Sequence, residues 1–297
     1  MLALAYIHNA DPYLGRLDYA SLPQQALMEM FIAGIERRDR ICDSCEDPTD
    51  ATRWTGVTVD AQTQSITEID WVAWNLSGFI DMQWLPATVV TVSLRSNSLR
   101  GAVDLTCLPP ALTELNLSFN AFSGLLELRR LPLSLRQVDV YRNKFTGDVC
   151  LTELPGGLIF LDLSENQLSG ALDLRSLPNT MEEFVGRSNI FTGNVSLTHL
   201  PESLRCLDVS HNQLSGSVDL TRLPQQIFYL YLNNNNFSGE TDFSHIPELM
   251  ALLNISTTNL SGEIHATQSQ AGNFRVKNSN VKLVTVKSEF ESNTRII

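Results

Sequence analysis

The stretch LTELNLSFNAFSG, residues 112–124, returns with changes along most of the chain. One asparagine recurs every 23 residues, at Asn97, Asn120, Asn143, Asn166, Asn189, Asn212 and Asn235. A glycine follows each of these asparagines four residues later, and a proline precedes each by eleven. Three residue types held to one period of this length indicate a stacked repeat architecture.

Each repeat has two halves with different patterns. The first half, LxxLxLxxN, alternates apolar and polar residues, which predicts a strand with one buried face. The second half, VDLTCLP at residues 103–109, returns to the next strand and carries proline. Proline disfavours a full helix there, so we expect extended and 3₁₀ segments. We therefore predict an α/β right-handed superhelix, a curved solenoid with a parallel β-sheet on its concave face and about nine repeats over residues 61–263.

The repeat LxxLxLxxNxLSG resembles the leucine-rich repeat family. Residues 161–170, LDLSENQLSG, are similar to the subtype common in plant receptor ectodomains. The continuation GxVDLxxLP departs from that subtype and is similar to leucine-rich repeat proteins of trypanosomatid parasites. The resemblance implies a protein-interaction scaffold.

Both ends of the chain lack the period, and we interpret them as caps that cover the exposed ends of the solenoid. Residues 1–60 form the N-terminal cap, with a helix at about 22–36 that Ser21 caps, followed by a strand at about 54–59. Residues 264–297 are expected to form an irregular C-terminal cap or tail.

The recurring asparagine is expected to be structural. A polar side chain inside an apolar turn is costly unless its amide is satisfied. Stacked at one position, these side chains can bond backbone groups of their own and the adjacent turn, which predicts a structural ladder.

Composition limits the possible partners. The 297-residue chain has a formal net charge of −12, so its main body should repel nucleic acid. No apolar run is long enough to cross a membrane, and the apolar N-terminus, MLALAYI, lacks the features of a leader. We expect a monomer and favour a cytoplasmic location, with the extracellular space or cell surface as the alternative.

Binding specificity has to lie in the residues that differ between repeats. Exposed aromatic and arginine side chains are favoured at binding hot spots. The hypothesised ligand-binding set on the concave face comprises Phe119, Tyr141, Arg142, Phe160, Arg187, His211, Phe228, Tyr229 and Tyr231. The alternative is that aromatic residues merely suit strands and cover one another across turns.

Two other patterns have chemical interpretations that we do not favour. Asp81, Asp104, Glu127, Asp173, Asp219 and Asp242 share one return-side position, but one carboxylate per turn suits a solvated face better than a Ca²⁺ site. Cys42 and Cys45 have the spacing of a zinc half-site without a second pair to complete it. We expect no metal and no cofactor.

Catalytic patterns are missing as well. The five histidines are dispersed, and the sequence contains no GxSxG, HExxH, phosphate-binding or dinucleotide-binding pattern. The sequence therefore predicts a non-catalytic scaffold that binds a protein or peptide on its concave face. An extracellular recognition or adhesion ectodomain, or the repeat region of a larger receptor kinase, remains as an alternative.

Overall fold

The computed structural model describes residues 22–44 and 48–286. Its main feature is a sheet of eleven strands, with strands numbered here along the chain. The strands of this concave sheet are β1 Val57–Val59, β2 Ile66–Asp70, β4 Thr91–Ser93, β6 Glu114–Asn116, β8 Gln137–Asp139, β10 Phe160–Asp162, β12 Glu183–Val185, β14 Cys206–Asp208, β16 Tyr229–Tyr231, β18 Leu252–Asn254 and β20 Phe274–Arg275. β1 pairs antiparallel with β2, and the other strands pair in parallel. The predicted parallel-sheet solenoid is confirmed.

The return side contains short 3₁₀ segments, as the prolines predict. Three of them, Met82–Trp84, Leu105–Cys107 and Leu174–Ser176, occupy the same place in different turns. In each, the carboxylate that precedes the segment accepts a hydrogen bond from the backbone N–H two residues on. The remaining 3₁₀ segments are Ala51–Arg53 and Ala271–Asn273.

The extended part of each turn forms a second layer of strands that the sequence pattern did not predict. The first five of these strands are β3 Ser77–Gly78, β5 Ser98–Ala102, β7 Ala121–Leu125, β9 Lys144–Asp148 and β11 Gln167–Ser169. The other five are β13 Thr192–Gly193, β15 Gln213–Gly216, β17 Asn236–Glu240, β19 Asn259–Thr267 and β21 Asn280–Val286. An isolated bridge between Ala171 and Thr192 joins the two groups. We call this layer the second sheet.

Apolar side chains fill the space between the two layers. Buried residues at the centres of most concave strands, such as Leu115, Val138 and Leu161, face buried residues of the second sheet, such as Phe122 and Phe145. A buried apolar residue, leucine in most turns, closes the core at the return side. The core is therefore one continuous column rather than separate clusters.

The N-terminal helix is shorter than the range 22–36. Helix α1 spans Gln24–Phe31, and a second short helix, α2, spans Asp39–Cys42. Helix α1 ends early because the following residues pair with the first turn: Ile35 bridges Gly78, and the N–H of Phe79 donates to the Gly34 carbonyl at 3.1 Å. Ser21, the expected cap of this helix, lies outside the described residues.

Pairing also continues past residue 263, where the repeats were expected to end. β20 pairs with β18, and β21 pairs with β19 over seven residue pairs. Alternating apolar residues at Val281 and Leu283 allow β21 to pack on the last turn. The solenoid thus gains a tenth, irregular turn. The division of the chain into cap, solenoid and tail remains a prediction.

Candidate concave binding face

Two rows of side chains stand on the concave sheet. In the eight strands of this sheet from β4 to β18 the middle residue is buried and its two neighbours stand on the concave side, as Glu114 and Asn116 flank Leu115. The parallel strands are in register, so equivalent residues stack across turns. The upstream row includes Glu114, Gln137, Phe160, Glu183, Cys206, Tyr229 and Leu252. The downstream row includes Asn116, Asp139, Asp162, Val185, Asp208, Tyr231 and Asn254.

The aspartate and asparagine residues of the downstream row fix the bend that follows their strands. Oδ1 of Asp208 accepts hydrogen bonds from the N–H and the hydroxyl of Ser210, at 2.9 and 2.6 Å. The same arrangement joins Asn116 to Ser118 and Asn254 to Ser256. The next residue in each turn has positive φ, for example +54° at Phe119. This bend directs the side chains that follow the strand toward the edge of the concave face.

The ladder asparagines hold consecutive bends together. Nδ2 of Asn143 donates to the carbonyls of Leu117 and Val140, at 2.9 and 3.2 Å. Its Oδ1 accepts from the N–H of Phe122 at 3.0 Å. Leu117 and Phe122 belong to the preceding turn, so each ladder amide joins two turns. Equivalent bonds are made by Asn97, Asn120, Asn166, Asn189, Asn212 and Asn235.

Four residues of the hypothesised binding set meet in one cluster. The rings of Phe119 and Tyr141 pack edge to face with centroids 4.8 Å apart. The guanidinium of Arg142 lies 5.4 Å from the Phe119 centroid, and that of Arg187 lies 5.9 Å from the Tyr141 centroid. Such cation–π contacts stabilise each arginine over its ring. We call this group, with the two residues named below, the arginine–aromatic cluster.

The sequence did not single out two members of this cluster. Arg95 covers Phe119 as Arg142 does, with its guanidinium 5.4 Å from the ring centroid. Glu165 accepts a 2.9 Å hydrogen bond from the Tyr141 hydroxyl and lies 3.5 Å from Arg187. For Arg95 the signal was the 23-residue step itself, because Arg95, Tyr141 and Arg187 share one repeat position.

Three other residues of the set form a second, separate patch. The rings of Tyr229 and Tyr231 stack with centroids 6.3 Å apart and 17° between their planes. Phe228 lies 6.4 Å from Tyr229 at a tilt of 45°. Phe228 and Tyr229 are 38% and 43% exposed. We call these three residues the tyrosine patch. Four strand spacings separate it from Tyr141, a distance of about 19 Å.

Phe160 and His211 belong to neither group. Phe160 stands in the upstream row between Gln137 and Glu183, and no ring contact in the described residues includes it. Nε2 of His211 lies 3.1 Å from Nδ2 of Asn234 in the next turn. The structure therefore divides the nine residues between two sites and two separate positions.

Two carboxylates of the downstream row lie in a poorly solvated environment, and one of them, Asp208, is beside the tyrosine patch. Burial raises the pKa of Asp162 and of Asp208 above the usual value for aspartate, although hydrogen bonds from Ser164 and Ser210 act to lower it. Burial, together with the charges of Glu183, Asp208 and Asp162, raises the pKa of the Cys206 thiol to about 12. Negative charge therefore prevails on this part of the face.

The acidic row on the return side has a structural role. Asp104, Asp173 and Asp219 accept hydrogen bonds from the backbone N–H two residues on, at 2.8, 3.1 and 2.9 Å.

Within residues 22–44 and 48–286, no three His, Cys, Asp or Glu side chains are placed to hold a metal ion. The Cys42 thiol donates to the Arg38 carbonyl at 3.2 Å, and Cys45 lies outside the described residues. None of the helices in the described chain is long and apolar enough to cross a bilayer.

Comparisons with known proteins agree with this geometry. A family model described as Leucine Rich repeat matches residues 201–217. A plant ice-binding protein has a similar structure, with a TM-score of 0.62 and 22% identity over 90% of this chain and 97% of that one. The Arabidopsis receptor kinase HAESA, solved with the peptide hormone IDA and the co-receptor SERK1, has a TM-score of 0.61 and 22% identity. That similarity covers 87% of this chain and 50% of the HAESA chain.

A third structure is the leucine-rich repeat ectodomain of the receptor kinase GASSHO1/SCHENGEN3 from Arabidopsis thaliana, in complex with CASPARIAN STRIP INTEGRITY FACTOR 2. It has a TM-score of 0.60 and 20% identity, covering 87% of this chain and 36% of that one. No curated protein sequence matches the chain. The chain is a leucine-rich repeat solenoid, as its repeats predict, and it shares its fold with plant receptor ectodomains.

Proposed function

We propose that the chain is a non-catalytic scaffold that binds a protein or an extended peptide on its concave face. The observation that carries this proposal is the tyrosine patch, three aromatic side chains at and directly before strand β16, of which Phe228 and Tyr229 are exposed. A polar concave surface gains nothing from exposing aromatic area to water, whereas a ligand that covers it gains hydrophobic contact. Aromatic residues at the centre of a face are typical anchors of binding energy.

The surface around the patch is rigid. Tyr229 and Tyr231 lie on a strand paired on both sides, and Asn235 fixes the following bend through four hydrogen bonds. A rigid site loses little conformational entropy when it binds, which favours affinity. The patch therefore suits recognition by a preformed surface.

The relatives in fold support this reading by analogy. HAESA was solved with a peptide hormone and a co-receptor, and GASSHO1/SCHENGEN3 with CASPARIAN STRIP INTEGRITY FACTOR 2. Their identity with this chain is 20–22%, so the ligand of this chain has to be inferred from its own side chains. We propose a protein or peptide partner, no nucleic acid and no reaction catalysed by this chain, which acts as a monomer.

Two kinds of larger protein could present the same concave face to a partner. The chain can serve as an extracellular recognition or adhesion ectodomain, or as the repeat region of a larger receptor kinase. The chain spans half of the HAESA chain that it matches, which leaves room for further repeats in such a protein. Both settings predict the same contact residues.

Site-specific crosslinking tests the proposal. The variant Leu252→p-benzoylphenylalanine places a photoreactive ring beside Tyr229 in the upstream row. The matched control, Ile190→p-benzoylphenylalanine, places it at an exposed site near the second sheet. We expect a partner captured from cells to crosslink at 252 and not at 190. Crosslinking at 190 alone, or no partner at either site, contradicts the proposal.

A further inference from the structure

The tyrosine patch adjoins one carboxylate on the neighbouring strand and faces a second one strand further away. Asp208 pairs with Tyr231, whereas Cys206 stands between Tyr229 and Glu183. The stacked tyrosines therefore form an aromatic wall beside the carboxylate of Asp208, with that of Glu183 about 5 Å further across the sheet.

Among the described residues, neither Glu183 nor Asp208 forms a salt bridge. Arg205 lies 3.7 Å from Glu182, and Arg187 lies 3.5 Å from Glu165. Burial raises the pKa of Asp208 and outweighs the charge of Arg187, which acts to lower it. Burial first, and then nearby negative charges that include Asp208, also raise the pKa of Cys206 and of Tyr231.

Two oxygen acceptors at this place are also incompletely used. Oδ1 of Asp208 takes both hydrogen bonds from Ser210, and no donor in the described chain reaches Oδ2. Asn233 occupies the place that Ser210 and Ser256 hold in the adjacent turns, but its turn carries Tyr231 in the downstream row. Oδ1 of the buried Asn233 has no hydrogen-bond donor among the described residues. Such an orphaned acceptor is uncommon in folded proteins.

We propose that this site takes a lysine or arginine side chain from a basic, extended segment of the partner. The cation stacks against Tyr229 and Tyr231, its N–H groups reach Asp208 and Glu183, and the acidic chain attracts the basic segment from solution. This inference rests on the proposed concave-face function and adds the charge of the ligand. The arginine–aromatic cluster is the less suitable cation or anion site, because Glu165 and the two rings already engage its arginines.

The chain itself supplies a substitution that removes the charge without disturbing the bend. Asn116 and Asn254 make the same two bonds to Ser118 and Ser256 that Asp208 makes to Ser210. The variant Asp208→Asn therefore keeps its acceptor for Ser210 and loses only the negative charge. Asp148→Asn, at an exposed second-sheet position, removes the same charge at a distance and is the matched control.

Binding of defined peptides to the full chain tests the inference. The probe is a fluorescein-labelled peptide of alternating arginine and alanine, which presents its arginines on one face when extended. The comparison peptide alternates glutamate and alanine. We expect the arginine peptide alone to bind, Asp208→Asn and Glu183→Gln each to weaken it about tenfold, and Asp148→Asn to leave it unchanged.

Each contrary outcome has a definite meaning. Equal affinity for the two peptides, or equal loss with Asp208→Asn and Asp148→Asn, overturns the inference, because attraction is then absent or unspecific. If a partner crosslinks at 252 while the arginine peptide fails to bind, the concave-face function stands and the basic ligand is wrong. If the arginine peptide binds through Asp208 and no partner crosslinks, the cation site stands without the proposed partner.

Discussion

Oδ1 of Asn166 accepts a 3.0 Å hydrogen bond from the backbone N–H of Phe145, which lies in the preceding turn. Nδ2 of the same residue donates to Val140 in that turn and to Leu163 in its own. A single amide thus satisfies backbone groups of two turns in a buried environment. The repeated asparagine is consequently the element that carries the stacking from one turn to the next.

Replacing this amide is expected to destabilise the whole solenoid. Asn166→Ala leaves the buried N–H of Phe145 without its partner and removes one of the two amide donors to the Val140 carbonyl, which should lower the free energy of unfolding by about 2 kcal/mol. Asn166→Asp keeps an acceptor but loses the donors, and should also destabilise. Urea unfolding followed by circular dichroism measures both values. A loss below about 0.5 kcal/mol for Asn166→Ala would show that the ladder is not structural.

The docking of the N-terminal cap depends on Gly78. A Cβ atom there would lie 2.1 Å from the Gly34 carbonyl oxygen, whereas at Gly101 the nearest atom, Cβ of Phe79, is 3.7 Å away. The two glycines have similar φ, +103° and +97°, so the backbone strain of an alanine is comparable. Gly78→Ala should therefore cost a further ~1–3 kcal/mol beyond Gly101→Ala. Thermal unfolding of the two variants provides the comparison, and equal midpoints would refute the contact.

The buried carboxylate of Asp208 should make the folded chain less stable at neutral pH than in acid. Burial raises its pKa in the folded chain, so the unfolded chain loses its proton first as the pH rises. The folded state then binds more protons, and stability falls between the unfolded and the folded pKa. Asp208→Asn should have the higher unfolding midpoint at pH 7, and the difference should vanish below about pH 3.9. A wild type as stable as the variant at neutral pH would argue against a buried charge.

Asp173 should show the opposite dependence. Hydrogen bonds from the Arg175 side chain and N–H lower its pKa to about 2. A carboxylate with a lowered folded pKa stabilises the chain above the unfolded pKa, and this contribution is lost as the pH falls toward 2. Asp173→Ala should therefore unfold more easily than the wild type at pH 7, by less than about 1 kcal/mol because water screens this exposed site. The deficit should shrink in acid, which a pH series of melting curves can follow.

The sequence predicts those features that repeat. The 23-residue spacing of the asparagines from Asn97 to Asn235 predicts the turns, the strands and the amide ladder, because equivalent side chains have the same surroundings in every turn. The second sheet was missed because strands such as Ala121–Leu125 contain Gly124, and glycine in a short segment favours a turn. The helix end was missed because pairing of Ile35 with Gly78 is a long-range contact that local propensity does not contain.

The binding face is less predictable for a related reason. The alternation around Leu115 gives the residues that point outward, and nine of them were selected by type alone. The contact of Tyr141 with Phe119 depends on the register between turns and on the bend at the left-handed residue. Tyr229 and Tyr231 stack because they stand two residues apart on one strand. Glu165 was not selected because its role, accepting the Tyr141 hydroxyl, appears only once the turns are stacked.

The central claim is that the tyrosine patch forms the binding surface of this protein. The most direct test is the affinity of a captured partner for the wild type and for the variant Tyr229→Ala/Tyr231→Ala, with Leu125→Ala/Ile190→Ala as a control for loss of exposed apolar area elsewhere. The account predicts that removing the two stacked rings weakens binding at least about tenfold, since aromatic anchors typically contribute 1 kcal/mol or more each, while the control binds like the wild type. An unchanged affinity for the tyrosine variant would contradict it.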